Sequence, residues 1–146
     1  MLKQVGPGRR TVLQQHQRRT CYALHQYPGV KRIKERVLDL VKKIVFDILT
    51  KAQDLRRLID EAKDKEKLPA QYLVLQAEIE ILMSELETLG CFYKDWQFNI
   101  GLVDFPAMID GKEVLLCWRS DEPAIKWYHG VEDGYAGRVL IPENLL

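Results

Sequence analysis

The side chains best suited to chemistry in this chain lie toward its C-terminal end: Asp104, Cys117, Glu122, His129 and Arg138. A cysteine and a histidine with acids at hand are the ingredients of a nucleophile and its base, the imidazole taking the thiol proton. Cys117 is also a candidate reactive thiol in its own right if Lys126 sits beside it, because a neighbouring ammonium favours the thiolate. Arg138 offers a guanidinium fork to an anion, or pairs structurally with Glu132 or Asp133. Gly130, Gly134 and Gly137 punctuate a loop in which backbone can approach a ligand closely. Asp104, Glu122, His129 and Arg138 are therefore the candidate ligand-binding set. A metal site would draw on His129 with Glu122, Glu132 or Asp133, yet His16 and His25 lie far upstream and no ligand spacing stands out. No metal and no cofactor are expected, and neither a Gly-x-Gly-x-x-Gly turn nor a P-loop is present.

These residues must be positioned by strands. The alternation beyond Gly90 predicts strands over 98–108, 113–119, 124–129 and 138–141, a three- to four-stranded antiparallel sheet. Asp110-Gly111 is a two-residue hairpin signal. It sets Ile109 opposite Lys112, Ala107 opposite Val114, Phe105 opposite Leu116 and Val103 opposite Trp118. Reading Ser120 to Pro123 as a four-residue turn then sets Trp118 opposite Ile125, Leu116 opposite Trp127 and Val114 opposite His129. One face of that sheet is almost wholly apolar and includes Phe105, Trp118, Trp127 and His129. The other carries Asp104, Cys117 and Lys126 in one row, with Arg119 and Tyr128 nearby. On this register Cys117 and His129 fall on opposite faces, which argues against a nucleophile–base pair.

Ahead of the sheet lies a helical pattern. Val37, Val41, Ile44, Ile48, Ala52, Leu55 and Ile59 recur at threes and fours without Gly or Pro, predicting a helix from about 31 to 63. Pro69, then Leu75, Ile79, Leu82, Leu86 and Leu89, with Gly90 as a left-handed stop, predict a second from about 69 to 89. The short connection makes an antiparallel hairpin with a coiled-coil-like seam. At 1.5 Å per residue the helices would run roughly 50 Å and 31 Å, so the first overhangs the second and needs another apolar cover. That cover is either the sheet or a second copy.

At 146 residues, with 47% hydrophobic and 29% charged side chains, the chain suits a single α+β domain over 22–146 behind a basic, flexible arm over 1–21. Residues 1–34 hold eight bases and no acid, leaving 14 bases against 21 acids beyond Lys34. No apolar run is long enough to span a membrane. Three cysteines without a Cys-x-x-Cys pair, and no apolar segment after Met1, point to a reducing, cytoplasmic setting.

The residues Gly101-Leu102-Val103-Asp104-Phe105-Pro106-Ala107, Leu116-Cys117-Trp118-Arg119, Glu122-Pro123, Trp127-Tyr128-His129 and Gly134-Tyr135-Ala136-Gly137-Arg138 occur in an order and spacing that resemble the domain of unknown function 2203 family. The resemblance runs from about Tyr22 and includes the hairpin. It implies a bacterial or archaeal protein and brings no activity, cofactor or catalytic residue. Three functions are expected on these grounds. The first is an interaction protein that forms a homo-oligomer, a dimer, through its helices. The second is a small-ligand binding protein or enzyme using the C-terminal sheet and its glycine loop. The third is nucleic-acid association through the basic arm.

Overall fold

The computed structural model describes residues 29–64 and 66–146. The basic arm and its proposed nucleic-acid role, with His16, Cys21 and His25, lie outside the described residues. A helical turn, Val30–Arg32, and a wider π-helical turn, Ile33–Val37, lead without a break into α1, Leu38–Glu61. Val41, Ile44, Val45, Ile48 and Ala52 are all buried along it, so the three-and-four spacing of apolar side chains is one packed stripe. Helix α2, Ala70–Thr88, folds back beside α1, and Lys51 reaches Glu78 across the pair at 2.5 Å. Gly90, at φ +82°, ends it. These two helices form the expected hairpin.

Five strands follow: β1 Phe92–Tyr93, β2 Leu102–Ile109, β3 Lys112–Arg119, β4 Trp127–Gly130 and β5 Val139–Leu140. They form one antiparallel meander in the order β1-β2-β3-β4-β5. The architecture is α+β with five strands rather than three or four: the two-residue β1 is too short for alternation to show, while β5 falls within the predicted 138–141. Asp110 (φ +49°) and Gly111 (φ +73°) form the tight β2–β3 turn, which needs two residues in the left-handed region and so favours Asp-Gly. The pairs Val103–Trp118, Phe105–Leu116, Ala107–Val114 and Ile109–Lys112 are those the turn dictates. β2 begins at Leu102 rather than 98 because Asp95 gathers the preceding loop: its carboxylate accepts the backbone N–H groups of Gln97, Asn99 and Ile100.

The inner face of the sheet packs on the hairpin. Val103, Phe105, Ala107, Leu116 and Trp118 join Val41, Val45, Ile48, Ile79 and Leu86 in a single core. The overhang of the longer helix is covered within the same chain. Val30 and Ile33 are buried in that core together with Ile125 and Ile141, and the Lys42 ammonium donates to the Pro123 carbonyl at 2.8 Å. Helix α2 is apolar on two opposite sides. Leu75, Ile79 and Leu86 point inward, while Leu73, Val74 and Ile81 remain exposed, at 68%, 56% and 59%. No helix among the described residues is long and apolar enough to cross a membrane.

Candidate functional site

The outer face of the sheet holds the site, and its composition depends on the β3–β4 register. β4 pairs as Cys117–Trp127, Leu116–Tyr128, Leu115–His129 and Val114–Gly130, one residue out of phase with the register expected from a four-residue turn. The cause is Glu122. Its N–H donates to the Arg119 carbonyl, its carboxylate accepts the Arg119 N–H, and its carbonyl accepts the Trp118 indole N–H, each at 2.9 Å. Pro123 has no N–H with which to continue the ladder. The chain therefore leaves the sheet over 124–126, drops Ile125 into the core, and resumes pairing at Trp127.

A one-residue slip inverts every side chain of a strand. Trp127 and His129 accordingly stand on the outer face and Tyr128 on the inner one, which reverses the expected separation of Cys117 from His129. Lys126 is exposed ahead of β4, and the place expected for it beside Cys117 is taken by Trp127.

Asp104 on β2, Cys117 on β3 and His129 on β4 now converge. Their donor atoms all lie within 4.8 Å of one another, and the residues are 4%, 0% and 3% exposed. His129 Nε2 is 3.3 Å from Asp104 Oδ1, and its Nδ1 is 2.8 Å from the Gly130 carbonyl. A carbonyl only accepts, so Nδ1 carries a proton and Nε2 is the atom turned to the cluster. The hydrogen bond to Asp104 raises the His129 pKa against the opposing effect of burial, with the Gly130 carbonyl adding to the rise. Burial pushes the Cys117 thiol up to about 12, and the hydrogen-bonded Asp104 carboxylate adds to that, outweighing Arg138. The expectation of a thiol made reactive by a lowered pKa is thus reversed.

The loop after β4 anchors this arrangement. Asp133 accepts the Gly130 N–H at 3.2 Å, and a Cβ at Gly130 or Gly137 would come within 2.3 Å or 2.6 Å of the Asp133 side chain. The glycines let the loop close on its own aspartate. They thereby deliver Arg138 to the outer face.

The Arg138 guanidinium lies over the rings of both Trp127 (5.0 Å) and Tyr135 (4.9 Å) and is hydrogen-bonded to the Glu122 carboxylate. Its side chain is 9% exposed, and its buried Nε has no hydrogen-bond partner among the described residues. Arg138 thus pairs with Glu122. Arg119 completes the rim, bonded to both carboxylate oxygens of Asp121 and to the Tyr135 hydroxyl. All five residues singled out from sequence lie in this one region, as a buried triplet and an adjoining ion pair.

A family model described as "Uncharacterized conserved protein (DUF2203)" matches residues 23–141. The chain belongs to that family. No curated protein and no solved structure matches it. The matched segment of this DUF2203 chain takes in the hairpin, all five strands and every residue of the site. The family description assigns none of them a role, so the site's chemistry has to come from its geometry. Trp127 and Tyr135 adjoin the candidate site but escape a reading by residue type. Trp127 looked like core on the expected register, and only the tertiary position of Arg138 gives Tyr135 a task.

Proposed function

We propose that the protein binds a small polar ligand at the Asp104–Cys117–His129 cluster, with Arg138 and Glu122 forming its rim. One observation carries this reading: Asp104 and His129 are the two buried charged or polar residues among the described ones, and they sit together with a buried cysteine. Removing such groups from water costs several kcal/mol each, and apolar side chains of similar size would fill the space more stably. A ligand that needs these groups accounts for their presence. Binding is favoured over nucleophilic catalysis, because a thiol held near pKa 12 is not an available thiolate. The test compares masses of the purified full-length protein under native and denaturing conditions. A species retained only in the native spectrum, and lost from the Asp104→Asn/His129→Gln double variant, is the expected result. Identical masses in both conditions would count against the reading.

A second reading, self-association through the hairpin, is favoured by the exposed side of α2. Ala70, Leu73, Val74, Ala77, Ile81, Ser84 and Thr88 follow at threes and fours on the side opposite Leu75, Ile79 and Leu86. The occupant is a second copy, with α2 of one hairpin lying along α1 of the other. The stripe is edged by Glu78, Glu80, Glu85 and Glu87 with no base, so α2 against α2 would bring like charges together. The outward side of α1 offers Phe46, 70% exposed, and Lys43 instead. Sedimentation at micromolar concentration should show a dimer that Ile81→Lys dissociates without loss of helicity. A monomer at all concentrations would remove this reading.

A further inference from the structure

The ligand-binding reading leaves the chemical class of the ligand open, and the donor set narrows it. We propose that Asp104, Cys117 and His129 form a site for one divalent transition-metal ion of the zinc class. The proposal rests on the ligand-binding reading above and names its occupant.

Geometry is the first argument. Zinc bonds to sulfur at about 2.3 Å and to imidazole nitrogen or carboxylate oxygen at about 2.0–2.2 Å, so tetrahedral ligands lie roughly 3.3–3.8 Å from one another. The His129 Nε2 to Asp104 Oδ1 separation is 3.3 Å, and all three donors fall within 4.8 Å. Rotamer adjustments of a few tenths of an ångström to about one ångström close the set around an ion. The donors come from the central three strands of one sheet, where the antiparallel register sets Asp104 directly opposite Cys117 and so fixes two of the three Cα positions.

The second argument is the setting of the imidazole. A metal-bound histidine characteristically gives its other N–H to a carbonyl or carboxylate, which fixes the tautomer and aims the free nitrogen at the ion. Here the Gly130 carbonyl holds Nδ1–H at 2.8 Å, and Gly130 is in turn held by Asp133. That second layer is already in place.

Donor chemistry selects the metal. Thiolate with imidazole suits zinc, cobalt(II) or iron(II), whereas magnesium and calcium prefer all-oxygen sites. Ion uptake releases the Cys117 thiol proton and any proton on His129 Nε2 to solvent, with no change of oxidation state. Three protein ligands among the described residues make the pattern of sites that hold water or another small molecule in the fourth tetrahedral position.

The experiment uses full-length protein stripped with a chelator and then titrated with zinc by equilibrium dialysis and with cobalt(II) by absorption spectroscopy. The expected result is one ion per chain, with a near-ultraviolet thiolate-to-cobalt band and visible bands of tetrahedral intensity. Cys117→Ser should abolish the thiolate band and His129→Gln should weaken zinc binding by ~100-fold or more, since even outer-layer changes cost 10- to 100-fold. Circular dichroism confirms that each variant folds. If the variants do not fold, the wild-type stoichiometry and cobalt spectrum decide alone. Failure to bind an equimolar ion, or binding that survives loss of Cys117 and His129, overturns the proposal. A non-metal species in the native mass spectrum that depends on Asp104 and His129 would then preserve the ligand-binding reading while removing the metal. Absence of both would remove the two together.

Discussion

His129 and Asp104 meet diagonally across β3, Nε2 to Oδ1 at 3.3 Å, while the far nitrogen of the imidazole is tied to the Gly130 carbonyl at 2.8 Å. Both ring nitrogens thus face acceptors, and the metal-free protein is best served by an imidazolium bonded to a carboxylate. Breaking one side of a buried pair leaves the other unpaired, at a cost of about 3–5 kcal/mol. In chelator-treated protein, Asp104→Asn and His129→Gln should each destabilise, and the double variant should cost less than their sum by about 1–3 kcal/mol. Urea unfolding of the four proteins measures this coupling. Strict additivity would mean that the two groups do not interact in solution.

The three tryptophans provide a check on the slipped register. Trp118 is buried and donates to the Glu122 carbonyl, so Trp118→Ala should cost about 3–5 kcal/mol. Trp96 is 58% exposed, and its replacement should change stability by no more than about 0.5 kcal/mol. Trp127 lies over Arg138 on the outer face, so Trp127→Ala should fall between the two at about 1–2 kcal/mol. If Trp127 and Trp118 proved equally costly, Trp127 would belong to the core and the β4 register would be wrong.

Those tryptophans also mark where the sequence was legible. The hairpin, its Gly90 stop and the β2–β3 register were readable because each rests on local chemistry: apolar spacing, a left-handed glycine, an Asp-Gly turn. The β3–β4 connection was not, since its length is set by three hydrogen bonds to Glu122, and one of them comes from a side chain four residues away. That single displaced residue separated Cys117 from His129 in the expected register. The individual site residues were recognisable by type, while their convergence needed the folded sheet.

Arginine at 138 should not be replaceable by lysine. Its planar head lies over the rings of both Trp127 and Tyr135 while its Nη2 holds Glu122, and a lysine ammonium, a single point charge without a planar fork, does not meet all three partners at once. Arg138→Lys should therefore destabilise by about 1–3 kcal/mol despite conserving charge, in line with charged hydrogen bonds and desolvated cation–π contacts. It should also alter the emission of Trp127, which is best read in a Trp96→Phe background. A lysine variant of wild-type stability and unchanged emission would show that the stacking carries no weight.

Cys91 allows the pH dependence to be given a sign away from the candidate site. Its thiol is buried and donates to the Leu86 carbonyl at 3.3 Å, and burial pushes it from an ordinary 9.0 up to about 12. Below pH 9 the thiol is protonated in both folded and unfolded chains, and its contribution to stability is fully present. Between pH 9 and pH 12 the unfolded chain ionises while the folded one holds its proton, so stability falls as pH rises, by up to ~1.4 kcal/mol per pH unit for this group. Urea midpoints taken from pH 7 to pH 10.5 should decline more steeply for the wild type than for Cys91→Ala. The same burial predicts that Cys91 reacts with a thiol reagent at pH 8 only at the rate of unfolding. Parallel pH profiles, or immediate labelling of Cys91 in the folded protein, would show that its thiol ionises freely in the native state.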